Sequence, residues 1–120
     1  MAEIRIYGSD LVVELSHVEK VEAVHGPVRV PLSSVREVEV VDRPLELIQG
    51  IKLPGTGIPG RTAVGTWVSP DGRTFAVEHH ASRGVVVHLE DQTYQELIVG
   101  CDQPEEVADR VRSAVGGTHA

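Results

Sequence analysis

Hydrophobic and polar residues alternate in several short stretches of this chain. From Glu3 to Tyr7, Ile4 and Ile6 share one face, and the residues between them are polar. A period of two residues is typical of a β-strand with one buried face. Similar stretches bounded by turn residues predict further strands. They are Asp10 to Leu15, Val28 to Leu32, Val35 to Val41, Arg61 to Val68, the two strands that flank Ser82-Arg83-Gly84, and Tyr94 to Val99.

Two segments change to a helical period. Ser16 to His25 places valines at three-residue intervals behind an N-cap serine, which predicts a short helix. Near the end of the chain, Asp102 is the predicted cap of a helix from Pro104 to Val115. The apolar stripe of this second helix consists of Val107, Val111, Ala114 and Val115. Residues 116–120, which begin with two glycines, are expected to form a frayed tail.

Turn residues suggest the registers of two hairpins. A three-residue loop at Pro70-Asp71-Gly72 places Trp67 opposite Phe75 as a cross-strand aromatic pair. An odd-length loop at Ser82-Arg83-Gly84 keeps the apolar residues of both flanking strands on one face. The predicted interior therefore contains Trp67, Phe75, Val77 and Leu89, and it is sealed by Val107 and Val111 of the last helix.

Consecutive short strands joined by hairpin-length turns predict an antiparallel meander followed by one helix. Such a meander hides its edges by curling into a barrel or into two orthogonal sheets, with the helix across the open end. The expected fold class is mainly β, of the α+β kind. A chain of 120 residues fits one domain, with a core from 3 to 115.

Four stretches carry a resemblance to a known fold. They are Asp10 to Ser16, Val28 to Val35, Pro54 to Gly60 and the helix Pro104 to Val115. In these the chain resembles small bacterial proteins of the pleckstrin-homology-like (PH-like) kind, which implies a strand barrel capped by a C-terminal helix. PH domains that bind phosphoinositides use a basic cluster between their first strands, whereas Lys20 and Arg29 stand here among glutamates. The resemblance therefore implies the fold and not lipid binding.

Charge and composition narrow the choice of partners. Eighteen acidic residues against 11 basic ones give a net charge of −7, which repels nucleic-acid phosphates and anionic membranes. One Trp, two Tyr and one Phe leave few stacking platforms for single-stranded nucleic acid. We expect no nucleic-acid, phosphoinositide or membrane partner, and a protein or a second copy of the chain instead. A charged N-terminus and the lack of a membrane-length apolar run make the cytoplasm the expected location.

Two motifs invite a cofactor or a metal. Gly55 to Gly60 matches a dinucleotide-binding glycine pattern in letters only, because a strand follows where a helix is needed, so we expect no cofactor. Six histidines are potential metal ligands, but no pair of them has the spacing typical of zinc ligands, so we expect no bound metal. The predicted register places His88 opposite Glu78. The resulting candidate polar cluster consists of Glu78, His80, Arg83 and His88, and we favour an ordinary solvated face over a ligand site.

The sequence contains few residues arranged as a catalytic nucleophile would need. Cys101, the lone cysteine, precedes the start of the last helix, where the helix dipole could lower its pKa. Nothing nearby in sequence orients a base for it, so a small apolar residue at a strand end is the favoured interpretation. There is also no G-x-S-x-G motif. The sequence predicts no catalytic residue.

The long segment from Gly50 to Gly60 is the best candidate for a functional loop. Its candidate interaction surface consists of Ile51, Lys52, Leu53, Pro54, Ile58 and Arg61. Exposed, these residues would form a binding surface, and packed they would roof the barrel. The sequence favours a non-catalytic interaction module that binds a protein or a second copy through this loop or a free strand edge. The alternative is a small-ligand binder or small enzyme that uses the region of His79, His80 and His88.

Overall fold

The computed structural model describes residues 3–15, 28–48, 50–52, 62–79 and 83–119. The predicted helix Ser16 to His25 lies outside these residues. The described strands are β1 (Glu3–Tyr7), β2 (Asp10–Glu14), β3 (Val28–Pro31), β4 (Val35–Val41), β5 (Ile51–Lys52), β6 (Thr62–Ser69), β7 (Gly72–His79), β8 (Gly84–Leu89) and β9 (Glu96–Gly100). Helix α1 spans Pro104–His119, and short 3-10 turns form at Leu32–Ser34 and Pro44–Leu47.

These strands form two sheets. The small sheet has the order β1-β2-β3, and the large one has the order β4-β8-β9-β7-β6-β5. The coarse prediction, a mainly β protein of the α+β kind with a C-terminal helix, is confirmed. A closed barrel is not what the described strands form. In the described residues, no helix has the length and apolar character needed to cross a membrane.

The predicted meander is wrong at β9. This strand lies between β7 and β8, parallel to the first and antiparallel to the second, so the predicted direct pairing of Val77 with Leu89 does not form. The cause is its apolar run: Leu97, Ile98 and Val99 are 0%, 0% and 1% exposed. A strand that is apolar on both faces belongs in the middle of a sheet that is covered on both sides.

The predicted register of the β6–β7 hairpin is also wrong. Ser69 pairs with Gly72, so the loop has two residues and Trp67 faces Thr74. A shift of one residue moves every side chain of a strand to the other face relative to its partner. Trp67 and Phe75 therefore lie on opposite faces of the large sheet, and the barrel interior built on their pairing is overturned. Gly72 has φ +141°, a backbone conformation that favours glycine and lets position 72 enter the ladder directly.

The main core fills the space between the two sheets and α1. Phe75, Val77 and Leu89 lie in it, as predicted, with α1 contributing Ala108 and Val111. A second apolar layer covers the opposite face of the large sheet. It consists of Ala76, Val86 and Ile98, with Val41, Ile48 and Trp67 packed against them.

Helix α1 links the edges of the two sheets through its polar side as well as its apolar stripe. Arg110 Nη2 donates to the carbonyl of Ile4 on β1 at 2.9 Å, and Arg112 Nη2 donates to the carbonyl of Val38 on β4 at 2.6 Å. Both carbonyls belong to strands at a sheet edge. The helix continues past its predicted end at Val115. It runs through Gly116 and Gly117, which the sequence suggests as its stop, to His119.

A glycine on β8 allows the close approach of β9. A Cβ built on Gly84 would lie 2.5 Å from the carbonyl oxygen of Val99, which is backbone and cannot rotate away. In contrast, a Cβ on Gly116 of α1 would meet nothing within 4 Å. The two positions therefore respond to the same substitution in opposite ways.

Replacing Gly84 by alanine should lower the free energy of unfolding by about 1–3 kcal/mol, the usual effect of forcing extra volume into a packed site. Gly116→Ala should raise it by up to about 1 kcal/mol, because alanine favours the helix. Urea denaturation measures both. A Gly84→Ala variant as stable as the parent would contradict the pairing of β8 with β9.

Candidate functional site

The structure describes only part of the predicted interaction surface. Ile51 lies on the edge strand β5 and is 77% exposed. Lys52 is described by its backbone, which pairs with Trp67. Four other members of this surface, Leu53, Pro54, Ile58 and Arg61, lie outside the described residues, as does the glycine pattern Gly55 to Gly60. The surface stays a prediction, with Ile51 as its one member whose exposure is described.

The predicted polar cluster is not brought together. Glu78 on β7 is fully buried, and β9 separates its strand from that of His88. Glu78 lies instead beside Gly100, where an added Cβ would come within 3.0 Å of its Oε2. His80 and the side chain of His79 lie outside the described residues. The predicted pairing of Glu78 with His88 is therefore wrong, because it depended on a direct β7–β8 hairpin.

Arg83, the remaining member, forms a link at the surface. Its Nη1 donates to Glu105 Oε1 at 3.0 Å, and its Nε donates to Asp42 Oδ1 at 3.3 Å. The hydrogen bond from Arg83 lowers the pKa of the Glu105 carboxyl. The guanidinium thus connects the first turn of α1 to the end of β4, and this role is structural.

His88 has a different set of neighbours from the predicted one. Its Nε2 lies 2.5 Å from Glu39 Oε1, and its Nδ1 lies 3.8 Å from Glu96 Oε2. Glu96 is held in turn by Thr74, whose Oγ1 donates to Glu96 Oε1 at 3.0 Å. Glu37 is the Cα partner of His88 on β4. These side chains come from four adjacent strands, β4, β8, β9 and β7. They point to the face of the large sheet that carries Ala76, Val86 and Ile98, opposite the main core, which is called the outer face below.

A cavity of about 280 Å³ lies beside His88 on this face. Its polar lining includes Glu39, Asp71, Thr74 and Glu96. The sequence contained one signal for this site, the two glutamates spaced by two residues among the valines of β4. That signal could not be used, because the pairing of β4 with β8 joins segments about fifty positions apart in the chain.

A cleft between β1 and α1 has a volume of about 690 Å³. Pockets that hold small molecules or peptide side chains commonly measure about 300–1,000 Å³. The apolar part of its lining is formed by Ile4, Ile6, Val99, Val107 and Ala114. Charged side chains at its margin are Glu3, Arg5 and Arg110. The sequence had placed the candidate surface elsewhere, and the cleft forms only when the last helix packs beside the first strand.

β1 borders this cleft as an edge strand of the described small sheet. Tyr7 and Asp10 face each other across a two-residue turn, so they exchange the hydrogen bonds that close the hairpin. Every second residue of β1 then bonds to β2, and the backbone groups of Ile4 and Ile6 point away from it. The Ile4 carbonyl that accepts from Arg110 agrees with this pattern. The N–H and carbonyl of Ile6 point the same way and have no backbone partner among the described residues.

Cys101 lines the same cleft, at the end of β9. Burial raises the pKa of its thiol, and the nearby carboxylates of Asp102 and Glu105 raise it further. This direction is opposite to the lowering expected from the helix dipole, so the environment disfavours the thiolate. The structure supports the interpretation of Cys101 as a small half-buried residue over that of a nucleophile.

We expect Cys101 to react slowly with iodoacetamide and its rate to rise with pH around a midpoint above about 8.5, the ordinary value for a cysteine thiol. An Asp102→Asn variant should bring the midpoint down, because it removes one of the charges that raise the pKa. Alkylation followed by mass spectrometry, with the urea-unfolded chain as the reference, measures both. A folded-state midpoint below the unfolded one would contradict the account.

The chain matches no protein-family model, no curated protein and no solved structure.

Proposed function

We propose that this chain is a non-catalytic interaction module that binds an extended, largely apolar segment of a partner protein in the cleft between β1 and α1. The observation that carries the proposal is the position of an edge strand along a cleft of about 690 Å³ that combines apolar side chains with charged ones. A peptide added to a sheet edge gains main-chain hydrogen bonds, while pockets beside the edge select its side chains.

The dimensions of the site support a short extended ligand. β1 has five residues, which at roughly 3.4 Å each give an edge of about 17 Å. The backbone groups of Ile6, unbonded within the part of the chain that the structure describes, supply a donor and an acceptor, and Arg110 already occupies the carbonyl of Ile4. Val107 and Ala114 on α1 form the opposite wall. A strand of four or five residues with alternate apolar side chains fits this arrangement.

The charged residues of the cleft select the ligand's charge only weakly, because Glu3 and Arg5 are already paired with each other. Arg5 is paired with Glu3 at 2.6 Å and with Glu14 at 2.6 Å, so its charge is compensated locally. All these side chains are substantially exposed, and pairs of this kind contribute little energy. The apolar lining and the strand edge therefore dominate recognition.

The alternative function, a small-ligand site around His79, His80 and His88, has less support. The cavity beside His88 has about 280 Å³, slightly below the range of about 300–1,000 Å³ that is usual for ligand pockets. It is also mostly polar in its lining residues. The larger cleft at β1 is on the opposite side of the large sheet from His88.

The finer fold identity also remains a proposal. The C-terminal helix that packs against the strands fits a PH-like protein, whereas the parallel pairing of β7 with β9 does not fit a sequential meander. The interaction function proposed here rests on the cleft and not on that identity. The expected cytoplasmic location is likewise a prediction.

A phage-displayed library of ten-residue segments with alternating apolar and polar positions should yield binders in the micromolar range. Ala114→Glu should weaken their binding at least about tenfold, because it buries a carboxylate against apolar surface. The matched control is Ser113→Glu, which adds the same charge at the neighbouring exposed position and should leave binding unchanged. Fluorescence anisotropy measures the affinities, and circular dichroism checks that each variant is folded.

A second variant tests the strand edge directly. Ile6→Pro removes a donor that points away from β2, so it should block peptide addition while the β1–β2 hairpin remains. Binders that tolerate both Ile6→Pro and Ala114→Glu, or a library without binders, would contradict the proposal. Sedimentation of the protein alone shows whether a second copy occupies the cleft: a dimer that Ala114→Glu dissociates identifies the partner as this chain itself.

A further inference from the structure

We propose that Glu37, Glu39 and His88 bind a divalent transition-metal ion on the outer face of the large sheet, with Glu96 as a positioning residue for the imidazole. This site is separate from the cleft between β1 and α1, and the two proposals stand or fall independently. It is formed by two neighbouring strands, β4 and β8, whose register places Glu37 opposite His88.

The three candidate ligands already converge. One ligand atom from each of Glu37, Glu39 and His88 lies within 4.8 Å of the other two. Ligand atoms bound at about 2.0–2.1 Å to one tetrahedral zinc lie roughly 3.3 Å apart. Glu39 Oε1 lies closer than this to His88 Nε2, at 2.5 Å, so a bound metal would replace that direct contact. Both carboxylates are exposed, so their side chains can rotate to the required spacing without moving the backbone.

The charge of the site favours a cation. Glu37, Glu39 and Glu96 place three carboxylates around one imidazole, in a chain whose net charge is already −7. Glu37 on β4 and Glu96 on β9 lie on either side of His88, which is the register partner of both, so the carboxylates gather around the imidazole and repel one another across it. A protonated imidazole can offset one of these charges, whereas a divalent ion offsets two and binds the carboxylates directly.

The residues behind His88 are arranged as they are behind many metal-bound histidines. A histidine that binds a metal through one ring nitrogen usually donates the proton on the other to a carboxylate, which fixes the tautomer and the ring orientation. Here Nε2 faces Glu39, and Nδ1 faces Glu96 at 3.8 Å. Thr74 holds Glu96 by donating to its Oε1. The 3.8 Å separation is longer than a hydrogen bond, and a small rotation of the imidazole or of the Glu96 carboxylate would make one. The imidazole at the centre, with a carboxylate held beside its Nδ1, distinguishes the site from a simple patch of acidic residues.

The donor set indicates the kind of metal. One imidazole nitrogen and two carboxylate oxygens suit zinc, manganese or iron(II), and they suit calcium or magnesium less, since those ions prefer oxygen ligands throughout. Three protein ligands leave at least one coordination position for water. The cavity of about 280 Å³ next to His88 provides space for that water.

Isothermal titration calorimetry of the purified full chain with Zn²⁺ alone should show one site of micromolar affinity. Co²⁺ in place of Zn²⁺ should give visible absorption bands of a low-symmetry, oxygen- and nitrogen-ligated ion. His88→Gln should abolish the site, and Glu39→Gln and Glu37→Gln should each weaken it by at least about tenfold. The matched control is Glu106→Gln, the same change at an exposed position of α1, which should leave the affinity unchanged.

Glu96→Gln separates a metal site from an ion pair. If Glu96 positions the imidazole, Glu96→Gln should weaken zinc binding by about 10- to 100-fold, the usual effect of removing a hydrogen-bond partner of a metal-bound histidine. The absorption bands of the cobalt-bound protein should keep their positions. Circular dichroism checks the folding of each variant. The proposal is overturned if the parent binds Zn²⁺ only at millimolar concentrations, or if His88→Gln binds it as tightly as the parent does.

Discussion

The structure depends on one placement, the insertion of β9 between β7 and β8. β9 contributes Leu97 and Val99 to the main core and Ile98 to the apolar layer on the other side. Because it is apolar on both faces, the large sheet must be covered on both faces too. The small sheet and α1 cover one of them, and the segment that includes Ile48 packs on the other.

The same placement decides which polar residues meet. It brings Glu96 between His88 and Thr74, and it puts Gly100 beside the buried Glu78. Both polar contacts lie on the outer face, on opposite sides of the apolar row formed by Ala76, Val86 and Ile98. The candidate metal ligands themselves meet through the pairing of β4 with β8, and the insertion of β9 adds Glu96 beside them.

On the other side of the large sheet, α1 determines the shape of the cleft. Its apolar residues, Ala108 and Val111, enter the core, while Arg110 and Arg112 reach carbonyls at the edges of the two sheets. Hydrogen bonds from charged donors contribute roughly 1.5–3 kcal/mol each when they are well formed, less where solvent competes. The helix thereby fixes the distance between the sheets and leaves an open, apolar gap along β1. The proposed peptide site is this gap.

Local patterns predicted the elements well and their partners poorly. The β1–β2 hairpin, β4 and α1 follow from period-two and period-three-to-four patterns with clear turn and cap residues, and the structure contains them within a few residues of the predicted ends. The face of Trp67 was wrong because it depended on counting loop residues, where an error of one reverses a strand. The neighbours of His88 were wrong because they depended on pairing between distant segments, about which a period of two says nothing. The continuous apolar runs in β8 and β9 are sequence signals of central strands, and in β9 this signal outweighs the preference for sequential hairpins.

The most direct test of this account is the pattern of inter-strand nuclear Overhauser effects in the isotope-labelled protein. The structure predicts cross-strand contacts of Ile98 with both Val86 and Ala76, in antiparallel and parallel geometry respectively. It also predicts contacts of Trp67 with Thr74 rather than with Phe75. Direct backbone contacts between Val77 and Leu89 would contradict the insertion of β9, and with it the place of Val99 in the cleft and of Glu96 beside His88.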